Sequence, residues 1–513
     1  MQRVLFSLAL AAAFAAARPL QVPGAQPQLV AVLELAPVAT WQKLNRQLKL
    51  DGLLVPGADQ QDGSPLPPVW QSVLRALRPQ QPLRLLLVTD GVLLEPLVLL
   101  PCRDPEPVLQ ALGRLGGNPQ PVKPKRLWKL GQGPWSGFAF WKSGQLVLAQ
   151  RQGAFQLLPD EIPQVAAGKE SPLVALAVFP QRVPLAYREM VLDHLRGFPR
   201  PWSLSGNQPP GHSPSWDFVW WELLLRQTQA IRIQIQSEGT PPRLILAAGL
   251  EPLPQSPLAR AIRHQAQLRS RLAPAAEAVA WGYVAWRAVP PGGKKHPGWL
   301  ARLQNHLPLA AGAGQAECLV QLQRQSKRFG ARFVLQGVQP AWGRARLKTA
   351  LALLGYRPQA HPGQADPPTE RRLRVRWQAG GNNLAKGLFG SPLELQADFS
   401  PSRVAGSLGR AGTEDEAEGK PGEPLPPGTL AAFRLRLGPV VAHQDQKRPG
   451  TPMALAGKLF AQALRQGGDA VVGRVQAKEK QLRLQVELDP AVLQTAVLAL
   501  GLMRRELESL LPK

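Results

Sequence analysis

The chain has 513 residues, 44% of them hydrophobic, with 54 prolines and 47 glycines. That is enough apolar material for several cores of about 100–200 residues each, and it excludes wholesale disorder. The formal charge is +26, from 61 basic and 35 acidic residues, so anionic surfaces are the partners to expect; two cysteines exclude a disulfide scaffold or a cysteine-only zinc site.

Met1-Gln2-Arg3 is a short basic start, followed by the apolar and small run Val4–Ala17 with small-x-small cleavage sites at Ala13–Ala15 and Ala15–Ala17. Residues 1–17 have the form of a secretory signal peptide, and the run is short of the roughly 20 apolar residues of a spanning helix. The expectation is an exported protein in the periplasm or an equivalent lumen, peripheral at a membrane.

The remainder reads as four related units of strand, helix, hairpin and helix. The first, 28–165, opens with strand Leu29–Leu35 and helix Thr40–Leu50. Its hairpin is Leu83–Thr89, turn Asp90-Gly91, Val92–Leu100, and a helix capped at Asp104-Pro105 follows. An extra hairpin, Gly137–Trp141 with Gln145–Ala149, lies beyond a Pro/Lys-rich connection over Asn118–Lys125.

In the second unit, 171–273, Ile231, Ile233 and Ile235 alternate with Arg232, Gln234 and Gln236, the period of a strand with one buried face. Leu244–Ala248 returns as its partner, and Ser256-Pro257 opens a helix as N-cap and first-turn proline. The third unit, 277–410, has strand Ala278–Ala288, helix Trp299–Leu307, hairpin Cys318–Leu335, a helix from Pro340 and an extra strand pair, Leu373–Trp377 with Leu393–Phe399.

Residues 411–427 are acidic and rich in proline and glycine, as a linker or exposed loop is. The fourth unit, 428–513, repeats the pattern with Thr429–Leu437, helix Ala454–Leu464, hairpin Val471–Val475 and Leu482–Leu488, and a helix opened by Asp489-Pro490. Pro105, Pro257, Pro340 and Pro490 stand at one place in all four units. The fold class expected is α+β: repeated strand–helix–hairpin–helix units with mainly antiparallel sheets packed on helices.

Pro96–Gly116 (PLVLLPCRDPEPVLQALGRLG) and Gly137–Leu158 (GFAFWKSGQLVLAQRQGAFQLL) carry a resemblance. A strand with an Asp-Pro-capped helix precedes a hairpin whose second strand reads LVLA. This resembles exported bacterial proteins, cyanobacterial ones among them, that carry a domain of unknown function. It covers mainly Gln28–Glu161, implies an exported α+β protein, and supplies no catalytic residue.

No reaction centre stands out. The seven histidines are scattered without metal-ligand spacing, and there is neither a G-x-S-x-G elbow nor a phosphate loop. No catalytic residue, metal or cofactor is assigned.

Charge is more informative. Residues 251–350 hold 15 basic and 3 acidic side chains. Arg260, Arg263, Arg269 and Arg271 lie on or after the opening helix, Arg324, Lys327, Arg328 and Arg332 around a turn, and Arg344, Arg346 and Lys348 on the next helix. These eleven are the candidate anion-binding residues. The expected function is non-enzymatic: a basic surface binding an anionic membrane lipid or an envelope polymer. Nucleic acid does not suit an exported protein. A small-ligand or lipid carrier, which needs an apolar cavity between sheet and helices, and an enzyme with dispersed residues are the alternatives.

Overall fold

The computed structural model describes residues 27–48, 73–114, 118–122, 126–131, 136–159, 161–162, 172–197, 216–287, 309–310, 312–325, 328–353, 371–377, 389, 392–410, 422–439 and 468–493. The signal-peptide reading of 1–17, the helices expected at Trp299–Leu307 and Ala454–Leu464, and all but the last six residues of the 411–427 segment lie outside them. The chain forms two compact units, Met1–Leu258 and Ala259–Lys513.

Among its described residues unit 1 has ten strands: β1 (Gln28–Leu35), β2 (Leu83–Thr89), β3 (Leu94–Pro101), β4 (Gln120–Val122), β5 (Leu127–Leu130), β6 (Gly137–Lys142), β7 (Gln145–Ala149), β8 (Val174–Val178), β9 (Thr228–Glu238) and β10 (Arg243–Pro252). Their pairings, all antiparallel, give the order β4-β5-β6-β7-β3-β2-β1-β8-β9-β10. The helices are α1 (Val38–Leu48), α2 (Glu106–Leu112), α3 (Leu185–Gly197) and α4 (Trp216–Gln227). The β2–β3 turn forms as its sequence dictates, the Asp90 Oδ1 accepting from the Val92 and Leu93 N–H groups.

Unit 2 contains β11 (Ala280–Arg287), β12 (Gln315–Gln325), β13 (Arg328–Gln336), β14 (Arg372–Trp377), β15 (Leu393–Ser400), β16 (Arg403–Arg410), β17 (Thr429–Arg436), β18 (Ala470–Lys478) and β19 (Gln481–Leu488). They lie in the order β14-β15-β16-β13-β12-β11-β17-β18-β19, again wholly antiparallel. Helix α5 (Pro257–Gln265) leads into this unit and α6 (Pro340–Leu353) follows β13. The two orders are the same order: β5-β6-β7 corresponds to β14-β15-β16, β3-β2-β1 to β13-β12-β11, and β8-β9-β10 to β17-β18-β19.

The α+β expectation is overturned. Strands make up 49% and helices 25% of the described structure, which is open antiparallel sheet with few helices rather than a series of strand–helix repeats. The reason lies in the edges. The opening strands of successive expected units pair with each other, β1 with β8 and β11 with β17, so the small sheets fuse. Residue periodicity records local elements and carries no signal for which edges will join. The Pro/Lys-rich connection also contributes strand β4, which pairs with β5 just beyond it.

One face of each sheet holds a dry core. In unit 1 Val32, Leu86, Val88, Leu97, Leu99, Val147, Ala175 and Ala177 are buried together, with Phe155 and Ile162 packed on them. In unit 2 Tyr283, Ala285, Leu319 and Ala432 pack with Leu268 and Leu425. Because strand side chains alternate, the neighbours of these residues in sequence all point to the other face.

Candidate functional site

That other face is apolar too. In unit 1 the register aligns three rows across the strands: Pro96, Leu87, Ala31, Val178, Ile231 and Leu250; then Val98, Leu85, Leu33, Leu176, Ile233 and Ala248; then Leu83, Leu35, Val174, Ile235 and Leu246. All seventeen are apolar, and all are half-buried.

Unit 2 repeats the arrangement on the corresponding strands. Its rows are Leu335, Cys318, Val284, Ala431, Val475 and Leu484; Phe333, Val320, Gly282, Phe433, Gly473 and Val486; and Ala331, Leu322, Ala280, Leu435, Val471 and Leu488. No polar side chain interrupts the eighteen positions. Val284 (46% exposed), Val320 (45%), Phe433 (42%) and Leu484 (38%) face solvent. An antiparallel sheet that meets water on one face normally alternates apolar with polar residues. Here that alternation holds toward β9 and β19, where Arg232, Gln234 and Gln236 and Arg483, Gln485 and Glu487 occupy the opposite face, while on the central strands both faces are apolar.

Helices cover one flank of this face in each unit. In unit 1 α2 places Val108, Leu109 and Leu112 against Cys102, Leu130, Ala139 and Leu146. In unit 2 α6 sets Trp342 and Leu347 against Leu335, Ala397, Phe399 and Val404.

The middle row of unit 2 is shaped by glycines. A Cβ on Gly473 would lie 2.1 Å from the Phe433 ring, so only glycine lets that ring lie flat across β18. A Cβ on Gly282, between Val320 and Phe433, would meet nothing within 4 Å. The corresponding position in unit 1 is Leu33.

The eight candidate basic residues whose side chains are described do not form one patch. Arg260 and Arg263 are exposed on α5, and Arg269 and Arg271 are exposed on the segment after it. That segment is tied to the core face by the buried carboxylate of Glu317, whose Oε2 accepts the Arg271 N–H at 2.9 Å and the Leu272 N–H at 3.2 Å. Gln315 donates to Glu317 Oε1 at 2.7 Å, while the Tyr283 hydroxyl lies 3.3 Å from Oε2. Burial pushes the Tyr283 phenol well above its usual range.

Arg324 stands at the other end of β12, about 20 Å along the strand from Glu317. It is exposed and shares the apolar face, one position beyond Leu322, whereas Arg332 is half-buried and points to the opposite face. Arg344 lies over the Phe399 ring at 4.6 Å and Arg346 over Trp342 at 5.5 Å, at the Glu317 end. Lys327 and the side chains of Arg328 and Lys348 lie outside the described residues.

Sequence reading missed a further basic row. Arg372, Arg374 and Arg376 alternate along edge strand β14 and share a face, with Asp398 3.1 Å from Arg372 and Glu394 2.5 Å from Arg374. The R-x-R-x-R spacing on a strand was the available signal. Charges on an edge strand also discourage pairing with another chain.

Cys102 and Cys318 are unbonded, and burial raises both thiols, Cys318 to about 11, which suppresses the nucleophilic thiolate. Among the described residues no cluster of His, Cys, Asp and Glu could hold a metal ion, and no helix is long and apolar enough to cross a membrane. A cleft of about 660 Å³ beside β5 and β6 has a mixed lining, with Gln120, Lys129, Ser136 and Gln150 beside Leu130 and Phe138.

No family model matches the chain, and no curated protein and no solved structure is similar to it.

Proposed function

We propose that this protein binds an anionic amphiphile, a fatty acid or lipid, against its apolar sheet faces in an extracytoplasmic compartment. The observation that carries the reading is the pair of uninterrupted apolar grids, one per unit, lying on sheets whose central strands already hold a core on the opposite face. In unit 2 the exposed Val284, Val320, Phe433 and Leu484 share this face, and neighbouring exposed apolar side chains mark a partner or ligand. The charge of +26 favours an acidic head group over a neutral one. The signal-like residues 1–17 support export to the envelope.

Of the functions weighed from sequence, the carrier therefore gains over simple electrostatic docking to a membrane or polymer. Docking needs cations gathered on one face, and the candidate arginines occupy both ends of β12 and both faces of the sheet.

The test is to purify the mature protein from its native envelope without detergent, extract it with organic solvent and identify the extract by mass spectrometry. Co-purification of acidic acyl lipid in stoichiometric amount is expected. Folded protein that yields no lipid, and that does not enhance the fluorescence of a dansyl-labelled fatty acid, would contradict the reading.

A further inference from the structure

The two grids differ in a way that locates the ligand. In unit 1 the middle row is filled by branched side chains, Val98, Leu85, Leu33, Leu176 and Ile233, and nothing in the grid is exposed. In unit 2 the same row has glycine at 282 and 473.

Glycine in the interior of a strand forfeits both packing and backbone entropy, and where it does not mark a bulge it marks close approach by something else. For Gly473 that neighbour is the Phe433 ring. The β11–β12 and β11–β17 registers run through Gly282 without a bulge, and among the described residues, its chain neighbours aside, nothing lies within 4 Å of where its Cβ would be. The Phe433 ring leans over β18, away from Gly282. A slot is left between Val320 and Phe433, floored by the Gly282 backbone, closed at one end by Val284 and continued at the other past the small Ala280 side chain. The flanking strands β12 and β17 are about 9–10 Å apart across it.

We infer that this slot is the seat of one acyl chain of the anionic amphiphile, so that the principal binding site lies in unit 2, with Gly282 as its specificity-determining residue. The inference rests on the amphiphile-binding reading above and narrows it to one place and one chain. The occupant follows from shape and charge together. The walls are purely apolar, the slot is open to solvent at Val284, Val320 and Phe433, and its rim carries Arg324 on the same face, about 13 Å along β12 from the Val320–Gly282 row. An apolar channel with a cation at its mouth suits an acyl chain with an acidic head.

Gly282→Val tests it. The substitution places a β-branched side chain in a strand with room to receive it, so the melting temperature should stay the same or rise. Affinity for a dansyl-labelled fatty acid, titrated into the full chain, should fall about tenfold or more. Val320→Gln, at an exposed wall position, should weaken the same probe in the same direction without unfolding the protein.

Wild-type affinity retained in both variants, while the wild-type chain binds the probe, overturns the slot and leaves the broader reading standing. A marked drop in melting temperature on Gly282→Val also overturns it, since it means that another part of the chain or a second copy fills the space. A wild-type chain that binds no probe removes the broader reading itself.

Discussion

Units 1 and 2 carry the same strand order and the same apolar grid, yet their surfaces differ. In unit 1 every grid position holds a half-buried side chain, and leucine and isoleucine dominate the middle row. In unit 2 two of the six middle-row positions are glycine, and four large apolar side chains reach solvent on the same face. A duplicated scaffold can thus keep one copy filled and open the other by removing side chains from a row. Strand pairing is unaffected, because the backbone ladder needs no Cβ. The lesson is that apolar patterning fixes which face is dry, while the volume at a few positions decides whether that face packs or binds.

Substitutions at paired positions sharpen the contrast. The largest effect is expected between faces. Leu86→Ala removes a fully buried side chain from the unit 1 core and should cost about 2–5 kcal/mol, whereas Leu484→Ala on the open grid should cost less than about 1 kcal/mol. Urea unfolding of the two variants measures both; equal losses would mean that the grid of unit 2 is packed after all.

Next comes the contrast between the two glycines. Gly473→Val drives its Cβ into the Phe433 ring and should cost about 1–3 kcal/mol, the opposite sign to the effect expected at Gly282. A Phe433→Ala background should recover part of that loss, because the ring is what the new side chain meets.

The smallest effect is the pH dependence, and the two units oppose each other. Burial raises the Glu95 carboxyl of unit 1 above 4.5, against the pull of its ion-pair partner Arg151. The folded form therefore holds its proton more tightly than the unfolded chain. Its stabilising contribution is complete below pH 4.5 and is lost as the pH rises through the folded value. In unit 2 the Gln396 amide, joined by Arg374, holds the Glu394 carboxyl below 4.5. Its contribution is present above 4.5 and is lost as the pH falls through the folded value. Urea midpoints of Glu95→Gln should therefore lose a decline on the neutral side, and those of Glu394→Gln a decline on the acid side.

Much of the local structure was legible in the residues. The alternation at Ile231, Ile233 and Ile235, the Asp90-Gly91 turn and the proline at the start of the 257 and 340 helices each name their element through short-range chemistry. The fused sheets were not legible, since the pairing of β1 with β8 joins residues some 140 positions apart by backbone groups that every residue carries. The grid was half legible. Each strand shows its apolar alternation, but only the register sets Val320, Gly282 and Phe433 in one row. The basic clusters stand out in sequence because they are close in number, and β12 then carries them to opposite ends.

The most direct test of the central contrast is photolabelling of the full chain with a diazirine fatty acid, followed by peptide mapping. Labels concentrated in β11, β12 and β17, around Gly282, Val320 and Phe433, with few in β1, β8 and β9, are the result predicted. Equal labelling of both grids, or labelling confined to other surfaces, would contradict it.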